Sequence, residues 1–279
     1  MNTQIVGLLA ETSIHPGAGQ SSGVIDLPVA REAATDYPFV PGSSVKGALL
    51  GLARKSGKLD AAERDRVFGK AESGNDGGGA GALLISDARL LLLPVRSLSS
   101  AYKWVTCPHL LERFARDARR GGNPPATLRC EVSEGNYFSA CDGDLFLEER
   151  QFSRGGPLPD KLVETLEILI LHEKTRARLA SQVVVLHDDD FVWFARYGLA
   201  VQARNALDEK KKTSTNLWYE ETIPPDALFY SLLAERQGGA IAEVKQLFNN
   251  HPYLQIGGNE TVGMGWFAVA FPNEKGGGK

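Results

Sequence analysis

A histidine and an aspartate, His15 and Asp26, flank a loop of small residues near the start of the chain. His15 opens a His-Pro-Gly turn, and Asp26 interrupts the apolar run GVIDLPV. Two extended segments joined by a Gly/Ser loop can bring such side chains close together. An Asp placed there can act as a general base, position a nucleophile or hold a metal. The plainer alternative is that both residues make structural hydrogen bonds. A second group is PGSSVKGAL at 41–49. A Gly-Ser-Ser loop opening a helix presents free N–H groups and the positive end of the helix dipole to an anion. With Ser43, Ser44 and Lys46 there, the stretch suits a phosphate, although it lacks the spacing of a Walker A loop. The competing reading is a capped helix with a solvated lysine.

Two further stretches carry chemical potential. GGNETVGMGW at 257–266 places Gly257, Gly258, Gly263 and Gly265 between strands, where they admit a ligand backbone or shape a hairpin. LWYEETIP at 217–224 sets two acids, Glu220 and Glu221, behind two aromatics. They could assist a metal or a proton transfer, or stand solvated on an ordinary strand. The run His187-Asp188-Asp189-Asp190 is read as a helix cap, because consecutive side chains diverge too much to gather one metal. No GxSxG, HExxH or Rossmann fingerprint occurs.

The elements that must position these groups follow from periodicity and breakers. Residues 4–14 predict a first strand, and 24–29 a short extended piece that Pro28 confines to an edge. Ser43 predicts an N-cap for a helix over 44–55. Further helices are expected at 61–68, 108–119, 160–171, around FVWFARY, and at 240–249. Strands are expected at 83–95, 144–150, in SQVVVL, at 199–206, on both sides of Pro224-Pro225, near 254 and at 266–271. Residues 208–215 predict a polar protruding hairpin, and 72–81 a flexible loop. Residues 273–279 are expected to form a disordered tail. The interleaving without a clean linker predicts one α+β domain with insertions over 1–272.

Composition narrows the classes. The chain has 279 residues, with 43% hydrophobic and 23% charged, as a soluble globular protein has. A net charge of -3 excludes a generic nucleic-acid coat but leaves room for a local basic groove. Cys107, Cys130 and Cys141 are odd in number and form no CxxC, so a disulfide framework or zinc site is not expected. The N-terminus has no basic residues before its short apolar run, which argues against a signal peptide or a membrane span.

Three stretches together resemble one family: IHPGAGQSSGVIDLPVAREAATDYPFVPGSSVKGALLGLAR, LWYEETIPPDALFY and IGGNETVGMGWF. They are similar to the RAMP-type backbone subunit of the type III-B CRISPR effector, the Cmr complex. The resemblance covers nearly the whole chain, and residues 96–160 are its least diagnostic part. It implies a modified ferredoxin-like (RRM-like) palm, a thumb hairpin at about 207–216 and inserted helical regions. It also implies several copies stacked along a guide CRISPR RNA, with complementary target RNA cut at regular intervals.

By that resemblance Asp26 matches the acid required for cleavage, as general base or as holder of Mg2+ or Mn2+. Lys46 matches a guide-phosphate contact. His15 and one of Glu220 and Glu221 match surrounding active-site positions. The implied partners are the guide and target RNAs, copies of the chain itself and the other Cmr subunits: a large polymerase-like subunit, a small helical subunit and capping RAMP subunits. No membrane is involved, and the setting is the cytoplasm. Two alternatives stay open: a non-catalytic backbone subunit that only binds guide RNA, and a lone nuclease that processes precursor RNA.

Overall fold

The computed structural model describes residues 2–21, 23–70, 79–122 and 128–272. Most of the expected 72–81 loop and the whole expected tail lie outside these residues. Helices and strands mix around one large mixed sheet of twelve strands. From one edge its path runs through Tyr253–Gln255, Trp266–Ala270, Thr3–Ala10, Leu228–Glu235, Ala88–Arg96 and Tyr102–Thr106. These neighbours are antiparallel. The path continues through Val183–Leu186, which pairs parallel to Tyr102–Thr106.

Alternation along the first strand sends its side chains to opposite layers. Val6, Leu8 and Ala10 join a core that includes Val45 and Leu49 of the helix Gly42–Ser56 and Ile241 and Val244 of the helix Ala240–Leu247. Leu9 packs on the other face with Leu111, Phe114, Leu166 and Leu169. Both faces are therefore covered. Gly7 lies on that second face, and a Cβ built there would sit 2.1 Å from the carbonyl oxygen of Leu169. No side chain fits at this crossing.

Several local expectations change. The first strand ends at Ala10, not Ile14, because the chain there leaves its sheet partners. Ile14 re-pairs as an isolated bridge with Ile223, through N–H···O contacts of 2.9 and 2.8 Å. Residues 24–29 form no strand and make only bridges, Gly17 with Val29 and Leu27 with Glu220. Ser43 is not the N-cap. The helix starts at Gly42 behind Pro41, and Gly42 N–H donates to Asp87 at 2.7 Å, a carboxylate brought from another segment. The expected 83–95 strand is divided into Leu83–Ile85 and Ala88–Arg96, with Asp87 in the gap between them.

The helix at 160–171 shortens to Leu162–Glu167 and begins after Lys161 in the left-handed region. His187, not the acids after it, caps the helix Asp188–Tyr197. Asp188 instead accepts from the His109 N–H, and Asp190 pairs with Arg150 at 2.7 Å. The helix Ala61–Phe68 matches its expected bounds and carries a complete capping box between Asp60 and Glu63. The polar hairpin exists but is longer than its tip. Its arms, Ala200–Leu207 and Ser214–Thr222, form a separate two-stranded sheet.

All three cysteines are free. Burial raises the thiol pKa of Cys107 and pushes that of Cys130 up to about 11, while Cys141 is exposed. Only a thiolate alkylates readily. Iodoacetamide at pH 8 is expected to modify Cys141 first and to reach Cys107 only after unfolding. Peptide mass spectrometry over a time course checks this, and early labelling of Cys107 would contradict the packing.

Candidate functional site

Three segments converge at the buried end of the hairpin strand Ser214–Thr222. The first is the His-Pro-Gly turn. Its Ile14–Ile223 bridge carries the chain straight into His15, which lies 7% exposed beside Glu220 and Glu221. The His15 Nδ1 sits 2.8 Å from the Glu221 carbonyl oxygen and 4.0 Å from Glu220 Oε1. With the proton on Nδ1, that nitrogen donates to the carbonyl and Nε2 is left as the acceptor.

The second segment carries Asp26. The Leu27 N–H donates to the Tyr219 carbonyl at 3.1 Å, and the Glu221 N–H donates to the Leu27 carbonyl at 3.0 Å. This parallel bridge sets Asp26 beside Tyr219, whose N–H donates to Asp26 Oδ2 at 2.7 Å. The carboxylate is half-buried and no other described group hydrogen-bonds it, so Oδ1 is left for a ligand. Among the described residues, Asp26 and His15 share no hydrogen bond or ion pair. They meet through the strand between them, not face to face as the loop between them suggested.

The third segment is the glycine-rich loop. The Gly258 N–H donates to the His15 carbonyl at 2.9 Å, and the Gly265 N–H to the Ser13 carbonyl at 3.0 Å. Two of its glycines are demanded by this closeness. Gly257 has φ +101° and a built Cβ would lie 2.8 Å from the His15 oxygen. Gly265 has φ +87°, with a Cβ only 2.4 Å from the Ile256 oxygen. Gly263 is also left-handed but faces open space. Asn259, which the sequence reading did not single out, donates its side-chain N–H to Glu220. Arg204, across the hairpin, stands 3.7 Å from the same carboxylate. The NET in the loop was the only sequence signal for Asn259.

Glu220 and Glu221 are not solvated acids. They are 2% and 3% exposed. Glu221 accepts from the Val29 N–H at 3.1 Å and pairs with Arg31 at 2.6 Å. The two side chains point to opposite faces of the strand, as its alternation requires.

Beside these groups a groove of about 550 Å3 opens between the helix Gly42–Ser56 and the glycine-rich loop. Ser44, Gly47 and Gly51 line one wall, and Gly257 and Gly258 the other. A Cβ at Gly47 or Gly51 would meet nothing within 4 Å, so packing does not require either glycine. Ser43 is exposed on the first turn. Lys46 is half-buried and has no ion-pair partner among the described residues. The first helix N–H is already taken by Asp87; the groove offers the glycine backbone of its walls and Lys55, which pairs with Glu260 at 3.1 Å, while Lys46 stands on the first helical turn outside its lining.

No three His, Cys, Asp or Glu side chains gather as a metal cage among the described residues. Asp26 is a single carboxylate. It fits a hard cation only of the kind that keeps its waters and takes further oxygens from substrate phosphates. No described helix is long and apolar enough to cross a membrane.

The RAMP superfamily model matches residues 8–268. A Pyrococcus furiosus protein named CRISPR system Cmr endoribonuclease Cmr4 is 32% identical over 96% of this chain and 95% of its own length. The crystal structure of oligomeric Cmr4 from Pyrococcus furiosus superposes with a TM-score of 0.73 at 28% identity, covering 98% of each chain. A chain from the cryo-EM structure of the type III-B Cmr-beta bound to cognate target RNA reaches 0.78 at 22% identity, covering 97% of each, and shares the fold.

Proposed function

Because the chain belongs to the RAMP superfamily and, within it, to the Cmr4 family, we propose that it is the backbone subunit of a type III-B CRISPR effector. Copies of it bind guide RNA along a filament and cleave complementary target RNA at regular intervals. The observation that carries this reading is the Asp26 carboxylate, held by one oxygen at the base of a projecting hairpin and free at the other.

The sheet order supports a ferredoxin-like palm within one RAMP-type RNA-binding unit over 1–272. Trp266–Ala270, Thr3–Ala10, Leu228–Glu235 and Ala88–Arg96 lie side by side. The helices Gly42–Ser56 and Ala240–Leu247 connect them in a β-α-β, β-α-β order. The hairpin, with its tip within 207–216, is the thumb. Ser43, Ser44, Lys46 and the glycines Gly257, Gly258 and Gly263 take the guide backbone. Contacts of that kind weaken steeply with salt. Base pairing to the guide supplies the sequence specificity.

In the cleavage step the 2′-OH of a target nucleotide attacks the adjacent phosphorus. The P–O5′ bond breaks, leaving a cyclic phosphate and a 5′-OH. Asp26 accepts the 2′-OH proton, and the departing oxygen takes one from solvent or a neighbouring acid. His15 and Glu220 stand 4.0 Å apart at the root of the same hairpin strand, without a direct bond to Asp26 among the described residues. Alternatively, the free Asp26 oxygen would hold Mg2+ or Mn2+, which would lower the nucleophile's pKa and neutralise developing charge while the 2′-OH proton passes to solvent. The remaining Cmr subunits complete the complex, which works in the cytoplasm.

Reconstituted guide-loaded complex with magnesium or manganese is expected to cut target RNA into a ladder of evenly spaced products. A chelator is expected to abolish the ladder and leave target binding intact. A complex that binds target and never cuts would make the chain a non-catalytic backbone subunit. Cutting of precursor RNA by the isolated chain in chelator would make it a processing nuclease.

A further inference from the structure

Arg31 lies five residues beyond Asp26, and the mechanism above gives it no part. Its guanidinium is mostly buried and makes three hydrogen bonds to protein acceptors. Nη2 donates to Glu221 Oε1 at 2.6 Å, and Nη1 donates to the carbonyls of Asp36 at 2.9 Å and Ala195 at 2.5 Å. Ala195 belongs to the helix Asp188–Tyr197, so Arg31 ties the Asp26 segment to that helix. The other Glu221 oxygen takes the Val29 N–H. One carboxylate thus pins residues 29 and 31 against the strand whose Tyr219 N–H holds Asp26.

The segment before the pin is loosely held. Val24 is 93% exposed, and the Gly23 N–H donates within the loop, to Ser21. The Ser21 N–H also holds the Asp26 carbonyl at 2.9 Å, but the ties from this segment to other elements lie at the Asp26 carboxylate itself and beyond it, at Leu27, Val29 and Arg31.

We propose that the Arg31–Glu221 pair is the positioning device for Asp26, and that Glu221 itself takes no part in the chemistry. Both Glu221 oxygens are spent on protein donors, in a pocket where the acid is 3% exposed. Buried to that degree, neither oxygen faces the open groove or solvent. Both terminal nitrogens of Arg31 face protein acceptors, which assigns it to holding the segment rather than to phosphate. Displacement of a reacting group by about 1 Å costs on the order of 10²-fold in rate. That is the loss expected when the pin is removed.

The inference rests on the nuclease reading, so the test uses the assembled, guide-loaded complex with Asp26→Ala alongside. Single-turnover cleavage and target Kd are measured for Arg31→Ala, Glu221→Ala and Glu221→Gln. Arg31→Ala and Glu221→Ala are expected to lose about 10²-fold in cleavage rate at saturating target, with target Kd unchanged. Glutamine at 221 keeps an acceptor for one of the two donors, so Glu221→Gln is expected to fall between Glu221→Ala and wild type.

A Glu221→Gln complex as inactive as Asp26→Ala would overturn the proposal, because a proton acceptor or metal ligand requires the carboxylate itself. Weaker target binding by Arg31→Ala with a reduced salt slope would also overturn it, by making Arg31 an RNA contact. If Arg31→Ala does not fold, the Gln-against-Ala comparison at 221 still decides. If Asp26→Ala cuts like wild type, it is the nuclease assignment that fails, separately from this one.

Discussion

Replacing Asp26 by alanine is expected to abolish target cleavage by the assembled complex while sparing assembly, guide binding and target binding. Loss of a positioned proton acceptor removes about 10²–10⁴-fold in rate. That range corresponds to roughly 3–5 kcal/mol of barrier. The structural cost is small by comparison. The side chain is half-buried and, among the described residues, accepts a single hydrogen bond, from the Tyr219 N–H. Such a bond contributes about 1 kcal/mol to stability. Asp26→Asn separates charge from geometry, because the amide oxygen still accepts from Tyr219 while the negative charge is gone. Both variants are expected to bind target like wild type and to give no ladder. A ladder from Asp26→Asn would show that the charge is not needed. A ladder from Asp26→Ala would move the chemistry to another residue.

Gly7→Ala is expected to be the most damaging single-methyl change in the fold. The new Cβ would lie 2.1 Å from the Leu169 oxygen and 2.7 Å from its carbonyl carbon and Cα. Neither side yields easily. Gly7 is in a strand paired on both sides, opposite Tyr230 and Ala270, and Leu169 is 1% exposed in the core. Overpacking of this kind costs about 3 kcal/mol. For a chain of this size that is a Tm drop on the order of 6–10 °C. Thermal and urea denaturation of the purified chain measure it. A Tm unchanged from wild type would mean that the 162–171 segment does not cross the first strand at Gly7.

What could be read from the sequence was what local chemistry determines. The amphipathic pattern at 108–119 matches a helix at Pro108–Arg120, and the box between Asp60 and Glu63 closes within one turn. The motif stretches carrying His15, Asp26, Glu220 and Gly257 do lie around one strand. Long-range partners were not legible. Asp87 displaces Ser43 from the capping role because it reaches Gly42 from 45 positions away. Arg31 and Glu221 are 190 positions apart, and no local pattern distinguishes a solvated glutamate from one that an arginine is waiting for. Asn259 was hidden among glycines for the same reason. His15 and Asp26 are held by the same strand, at Glu221 and Tyr219, rather than by each other, and the flexible loop between them gave no sign of that strand.

The hairpin has a mechanical consequence. Ser214–Thr222 is exposed at its far end and buried at Glu220, Glu221 and Thr222, so it is a cantilever clamped at one end. Among the described residues, its sheet partner along the free length is the other arm. A load applied near Lys210 bends the beam about its root, and the root is where the Tyr219 amide grips Asp26. Whatever seats the tip therefore exerts torque on the carboxylate some ten residues away.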